Sequence, residues 1–175
     1  ISLSNVHMCM EVYDSKKYRN IINNSDLVLP DGRPIYWALK LLGSRNINQI
    51  RGYDLTLDIC TIACANNISV GFFGSDNATI KKIKKNLYMR YPNLKIAYAE
   101  SPPFGVISKY DNDCYIKKIN DSGLKFLFVG LGCPKQEIWM AQNKNKINCV
   151  MIGVGAVFDF LSNNKKNAPK LIQSI

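Results

Sequence analysis

The sequence has no apolar run approaching the roughly 18 to 20 residues that a membrane-spanning helix requires, so any contact with a membrane is expected to be peripheral. A basic-then-apolar leader pattern is also missing from the N-terminus. Close CxxC pairs are lacking too. The six cysteines, Cys9, Cys60, Cys64, Cys114, Cys133 and Cys149, stand apart in apolar surroundings, which argues against structural zinc and for buried free thiols in a reducing compartment. The single histidine, His7, has no second metal-type ligand beside it and is expected to be a hydrogen-bonded structural residue. Internal repeats, low-complexity segments and a Pro/Gly/Ser-rich linker are absent, which leaves one compact unit as the expectation for 175 residues. The segment from Asn167 to Ile175 has the pattern of an amphipathic helix cut short, so a chain trimmed at both ends is expected.

Acidic residues are the scarce charge. Lys and Arg number 23 against 13 Asp and Glu, giving a formal charge of +10 that suits anionic partners such as nucleic acid, lipid headgroups or a diphosphate. Charge does not choose among them, and abundant Lys, Asn and Ile also have the plain reading of an AT-rich gene. A hydrophobic content of 47% is enough to build a sizeable core.

Strand-like apolar runs alternate with longer helical patterns, which predicts an α/β, Rossmann-like fold with a mainly parallel sheet flanked by helices. Strands are expected at 1–5, 27–29, 69–73, 94–98, 125–129 and 150–154. Helices are expected at 6–22, 35–42, 53–65, 78–90, 111–120, 136–143 and 157–161. Ligands of open α/β sheets lie outside the carboxyl ends of the strands, where helix N-termini and backbone amides converge. Pro30-Asp31-Gly32, Gly74-Ser75-Asp76, Gly130 to Glu137 and Gly153-Val154-Gly155 all follow strands and should share one rim.

Within Gly130 to Glu137, two glycines let the backbone approach a ligand and Pro134 suits a helix's first turn, placing Lys135, Gln136 and Glu137 there. The segment reads either as an anion-friendly pocket or as a capped, solvated helix start. Asp31 is either a general base toward a sugar hydroxyl or the carboxylate of an ordinary Pro-Asp-Gly turn. Arg51 is either a phosphate clamp or a solvated surface arginine. Gly74-Ser75-Asp76 lacks the GxGxxG spacing, which disfavours a nicotinamide cofactor. Around Gly153-Val154-Gly155 and Phe158-Asp159-Phe160 a structural role is favoured over catalysis.

Ser4-Asn5-Val6-His7, Asp26 to Pro34 with Trp37, Arg51 to Leu55, Gly132 to Glu137 with Trp139, and Gly153 to Asp159 occur in an order and at separations that resemble the WecG/TagA/CpsF glycosyltransferase family, glycosyltransferase family 26. Ala168-Pro169-Lys170 is similar to a segment near the end of that pattern. The resemblance implies an inverting transferase that moves a hexose or N-acetylhexosamine, such as N-acetylmannosamine, from a UDP-sugar to a polyprenyl-diphosphate-linked saccharide in cell-wall or surface polysaccharide synthesis. It implies no cofactor and no metal, with UDP-sugar as the donor substrate. Carried onto this sequence, Asp31 is the catalytic base and Asn5 a polar residue near the reacting centre. Arg51, Gln136, Lys135, Glu137, Gly132 and Gly74 are substrate-binding.

The resemblance further implies residence in the cytoplasm at the inner face of the cytoplasmic membrane, and a C-terminal membrane-associating appendage beyond residues 1–175. A homo-oligomer is a further expectation, and nucleic acid is not expected as a partner. The sequence departs from the family where many members have a Gly-Gly-Lys turn and this chain has Gly74-Ser75-Asp76, which puts a cationic contact there in doubt. The reading from another class, a nucleotide- or nucleic-acid-binding module without catalysis, would use the basic face alone.

Overall fold

The computed structural model describes residues 1–165, so the expectations for 167–175, including Ala168-Pro169-Lys170, lie outside the described residues. Six strands and eight helices are formed there. The strands are β1 (Ser2–Ser4), β2 (Val28–Pro30), β3 (Ser69–Gly74), β4 (Lys95–Glu100), β5 (Phe126–Gly130) and β6 (Val150–Gly153). They make one sheet in the order β2-β1-β6-β5-β3-β4, and every pairing is parallel. All carboxyl ends therefore open on one rim, as the alternation of strand and helix patterns predicts.

The helices are α1 (Val6–Asp14), α2 (Lys16–Asn23), α3 (Arg33–Leu41), α4 (Gly52–Ala65), α5 (Asn77–Arg90), α6 (Lys109–Asp121), α7 (Lys135–Asn143) and α8 (Val157–Leu161). The single helix expected over 6–22 is two. Ser15 adopts an extended backbone and its side chain caps α2 by accepting from the Tyr18 N–H at 3.2 Å, so the chain turns within the polar run from Asp14 to Lys17.

Period-2 alternation splits the central strands between two cores. Phe72 and Phe128 face the core built by α4, α5 and α8, with Ile83, Leu87 and Phe158. Phe73, Leu127 and Val129 face the other, with Tyr115 of α6 and Trp139 of α7. The rings of Phe72 and Phe128 stack at 5.1 Å between centroids, and Phe73 lies 4.7 Å from Trp139. β3 and β5 are covered on both faces and offer no open strand surface, and the nucleic-acid alternative finds no support. All six cysteines are free, but only Cys60 is buried and Cys9 is exposed, because the remaining four sit on element flanks where cover is partial.

Candidate active site

The loops after β1, β2, β5 and β6 surround a cavity of about 340 Å³ whose wall includes Asn5, Asp31, Arg51, Gly132, Gln136 and Gly155. A second cavity, of about 1260 Å³, opens beyond the ends of β3, β4 and β5, and its lining includes Ser75, Lys135 and Trp139. The four motifs do share one rim. The structure divides them between two cavities, with the Gly130 to Gln136 segment contributing to both.

Asp31 is held from two sides. Its N–H donates to the Ser4 carbonyl at 2.8 Å, continuing the β1–β2 ladder, and the carbonyl of Pro30 accepts from the Ile50 N–H at 2.9 Å. Its side chain does not close the local turn. Oδ1 instead accepts from the N–H of Gly52, the first residue of α4, at 3.4 Å. Glycine suits position 52, where a Cβ would lie 2.8 Å from the Leu3 side chain and 3.0 Å from that of Val157, so a larger residue would have to displace both methyls. Burial raises the Asp31 carboxyl above the ordinary carboxylate range, opposed by the Gly52 N–H and by the Arg51 guanidinium and reinforced by Asp54. A half-buried carboxylate that is fixed in place and raised by burial is equipped to accept a proton.

Arg51 precedes α4 and is paired with Asp54 at 3.4 Å, with its side chain about a quarter exposed at 28%. Asn5 caps α1, its Oδ1 accepting from the Met8 N–H at 3.0 Å, while its residue forms part of the smaller cavity's wall. His7 lies at the same rim, exposed on the wall of the smaller cavity, with its Nε2 3.3 Å from Glu11 Oε1.

Gln136 and Glu137 form a buried polar unit. The Gln136 Nε2 donates to Glu137 Oε1 at 2.7 Å, and its Oε1 accepts from the Gly155 N–H at 3.1 Å. Tyr18 of α2 donates from its hydroxyl to Glu137 Oε2 at 3.1 Å. Gln136 thus presents its flank to the cavity while its amide ties the loop after β6 to α7. Glu137, expected among the substrate-binding residues, lies behind Gln136 and on neither cavity wall, because α2 folds over it. Burial raises its carboxyl, opposed chiefly by the hydrogen bond from Gln136.

Gly74, also expected to bind substrate, is on neither wall. It lies against the backbone of Gly130, which a Cβ would strike, and its φ of 133° suits glycine. Asp76 caps α5, accepting from the Thr79 N–H at 2.9 Å, so a carboxylate occupies the helix end that a phosphate would need. Lys135 faces the larger cavity, where its ammonium lies 5.6 Å from the Phe104 ring centroid.

Gly155 lies in a turn expected to be structural, and its N–H does tie the loop after β6 to α7. The same turn forms part of the smaller cavity's wall. Tyr53 and Phe160 also line that cavity and were not singled out as site residues. Their rings meet edge to face at 6.3 Å across 107 residues of sequence, a contact no local pattern announces. Among the described residues, no three His, Cys, Asp or Glu side chains gather into a metal-binding cluster. No helix there is long and apolar enough to cross a membrane.

Two curated relatives carry the same name, N-acetylglucosaminyldiphosphoundecaprenol N-acetyl-beta-D-mannosaminyltransferase. The chain is 29% identical to that of Staphylococcus aureus over 159 residues, covering 90% of this chain and 61% of the relative. It is 28% identical to that of Bacillus subtilis over 171 residues, covering 97% of this chain and 64% of the relative. The chain therefore spans less than two thirds of the length of either. The sequence profile of the glycosyl transferase WecG/TagA/CpsF family matches residues 1–175. A match that runs from the first residue to the last leaves no segment outside the pattern, and the chain belongs to the WecG/TagA/CpsF family of glycosyl transferases.

Proposed function

We propose that this chain is the donor-binding and catalytic core of an inverting glycosyltransferase that moves a hexose or N-acetylhexosamine, such as N-acetylmannosamine, from a UDP-sugar to a polyprenyl-diphosphate-linked saccharide. The observation that carries the proposal is Asp31, a desolvated carboxylate fixed by Gly52 on the wall of a cavity that also receives Arg51. The names of the relatives supply the substrate class.

In the proposed reaction the acceptor hydroxyl oxygen attacks the anomeric carbon while Asp31 takes the hydroxyl proton. The carbon–oxygen bond to the diphosphate breaks from the opposite face, and UDP leaves with the bonding pair. The charge that develops on UDP is met by Arg51 and by the amides around Gly132, rather than by a metal ion. Asn5 orients the acceptor hydroxyl or the sugar from the cavity wall. The larger cavity, with Pro102, Leu131, Ile138 and Trp139 as apolar surface and Asn112 and Gln142 as polar groups, has the character of a nucleoside site. Lys135, on the segment shared by both cavities, would contact the donor near its diphosphate.

The test is transfer from UDP-N-acetylmannosamine to a synthetic lipid-diphosphate saccharide, run on the whole gene product, with binding of UDP to the 175-residue chain followed by thermal shift. Stabilisation by UDP together with transfer supports the reading. Oligonucleotide binding with no response to UDP-sugars would refute it.

A further inference from the structure

Helix α3 turns Ile35, Tyr36 and Leu39 partly inward and leaves a second apolar stripe uncovered. Apolar residues at i, i+3, i+4 and i+7 ordinarily mark the stripe that a surface helix turns toward the core. In α3 that spacing is occupied by Pro34, Trp37, Ala38 and Leu41, and all four are exposed. Leu41 is 89% exposed, Leu42 just beyond it 82% and Trp37 49%, and the helix has no fully buried residue. By contrast α4, the next helix, buries Thr56, Leu57, Cys60 and Ala63.

Charge identifies what would cover this stripe. Lys40 and Arg45 are exposed beside Leu41 and Leu42, and the Lys40 ammonium donates to the Arg45 carbonyl at 3.1 Å, which keeps both at one end of the stripe. No Asp or Glu occurs between Asp31 and Asp54. A nine-residue helix spans only about 13 Å, far too short to cross a bilayer but suited to lying along its surface. Exposed Leu and Trp flanked by cations and free of nearby carboxylates in the sequence match an anionic headgroup region, where apolar side chains enter the acyl boundary and Lys and Arg meet lipid phosphates.

We propose that α3 and the turn after it, through Trp37, Leu41, Leu42, Lys40 and Arg45, form the surface by which this protein docks on an anionic lipid bilayer. The helix begins two residues after Asp31, so a bilayer seated on it brings headgroup-level diphosphates to the rim of the smaller cavity. That consequence rests on the proposed transferase reading; the docking itself does not.

The experiment is co-sedimentation of the 175-residue chain with vesicles of phosphatidylglycerol mixed with phosphatidylcholine, and with phosphatidylcholine alone, in the absence of donor and acceptor. Transferase activity plays no part in this readout, so its failure and that of the transferase reading are separable. Binding to the mixed vesicles, weakened by salt, is expected, with a blue shift in tryptophan emission. Trp37 is the reporter because Trp139 is buried at 6%, and Trp37→Phe should abolish the shift.

Leu41→Asp with Leu42→Asp should weaken binding by about tenfold or more. Lys40→Glu with Arg45→Glu, a second pair on exposed positions, should remove the preference for phosphatidylglycerol. Unchanged binding in both double variants, at unchanged thermal stability, would overturn the proposal. So would absence of vesicle binding together with conversion of an oligomer to a monomer by Leu41→Asp and Leu42→Asp, which would assign the stripe to contact between copies of the chain.

Discussion

Strands β3 and β2 lie in the same parallel sheet, yet Val70 to Gly74 of β3 are all buried, whereas Val28 of β2 is exposed and Leu29 and Pro30 are only half-buried. The helices repeat the contrast. Around β3 and β5, helices α5, α6 and α7 close two aromatic-rich cores, while beside β2 helix α3 buries nothing fully. Asp31, Arg51 and Asn5 stand on the thin side, and the packed side supplies Gln136 and the larger cavity. On the proposed reading the packed strands hold the rim in place, while the thin edge presents the half-buried Asp31 and exposed side chains that add little to stability.

Substitutions can break this contrast. The largest expected stability effect is Phe72→Ala on the packed side, about 3 to 5 kcal/mol by chemical denaturation, because a fully buried ring stacked on Phe128 leaves a cavity. Next comes Gly74→Ala, expected to cost about 1 to 3 kcal/mol, since it combines a positive φ with a clash on the Gly130 backbone. Glu137→Gln is smaller and of opposite sign. Burial raises the folded-state pKa of Glu137, so the stability this group contributes is present at low pH and is lost as pH rises through that value. The variant is expected to melt about 2 °C above the wild type near pH 8, with the gap closing toward about pH 4. A variant that melts lower at both would show that the Tyr18 and Gln136 hydrogen bonds outweigh the desolvation. Leu41→Ser, at the thin edge, should change stability by less than about 0.5 kcal/mol. A loss comparable to that of Phe72→Ala would abolish the distinction between the two sides.

The packed half was legible in the sequence because its determinants are local. Val70 to Phe73 and Phe126 to Val129 are continuous runs without a polar side chain, as strands covered on both faces must be, and the glycine turns that follow them mark the rim. The break at Ser15 falls in the polar run Asp14 to Lys17, which carries no glycine or proline to mark a helix end, so only the cap geometry separates α1 from α2. Glu137 looked like a solvated residue of a helix start. Its burial depends on Tyr18, 119 residues away, so nothing in the segment from Gly132 to Glu137 could report it. Asp31 was found by its motif, but the choice between turn and base depended on where its side chain bonds. Its Oδ1 accepts from the Gly52 N–H at the start of α4 rather than from its own turn, a partner 21 residues away that the motif could not report.

On the proposed reading Asp31, half-buried at the thin edge, serves chemistry at the expense of stability. The direct test measures transfer and melting temperature together for Asp31→Asn in the whole gene product, across pH. Its raised carboxyl predicts a wild-type acidic limb in kcat/KM above the ordinary carboxylate range, with activity rising as Asp31 ionises. The variant should lose about 10² to 10⁴ in kcat together with that limb, while melting at or above the wild-type temperature near pH 7. Transfer at the wild-type rate with the acidic limb intact would contradict the assignment.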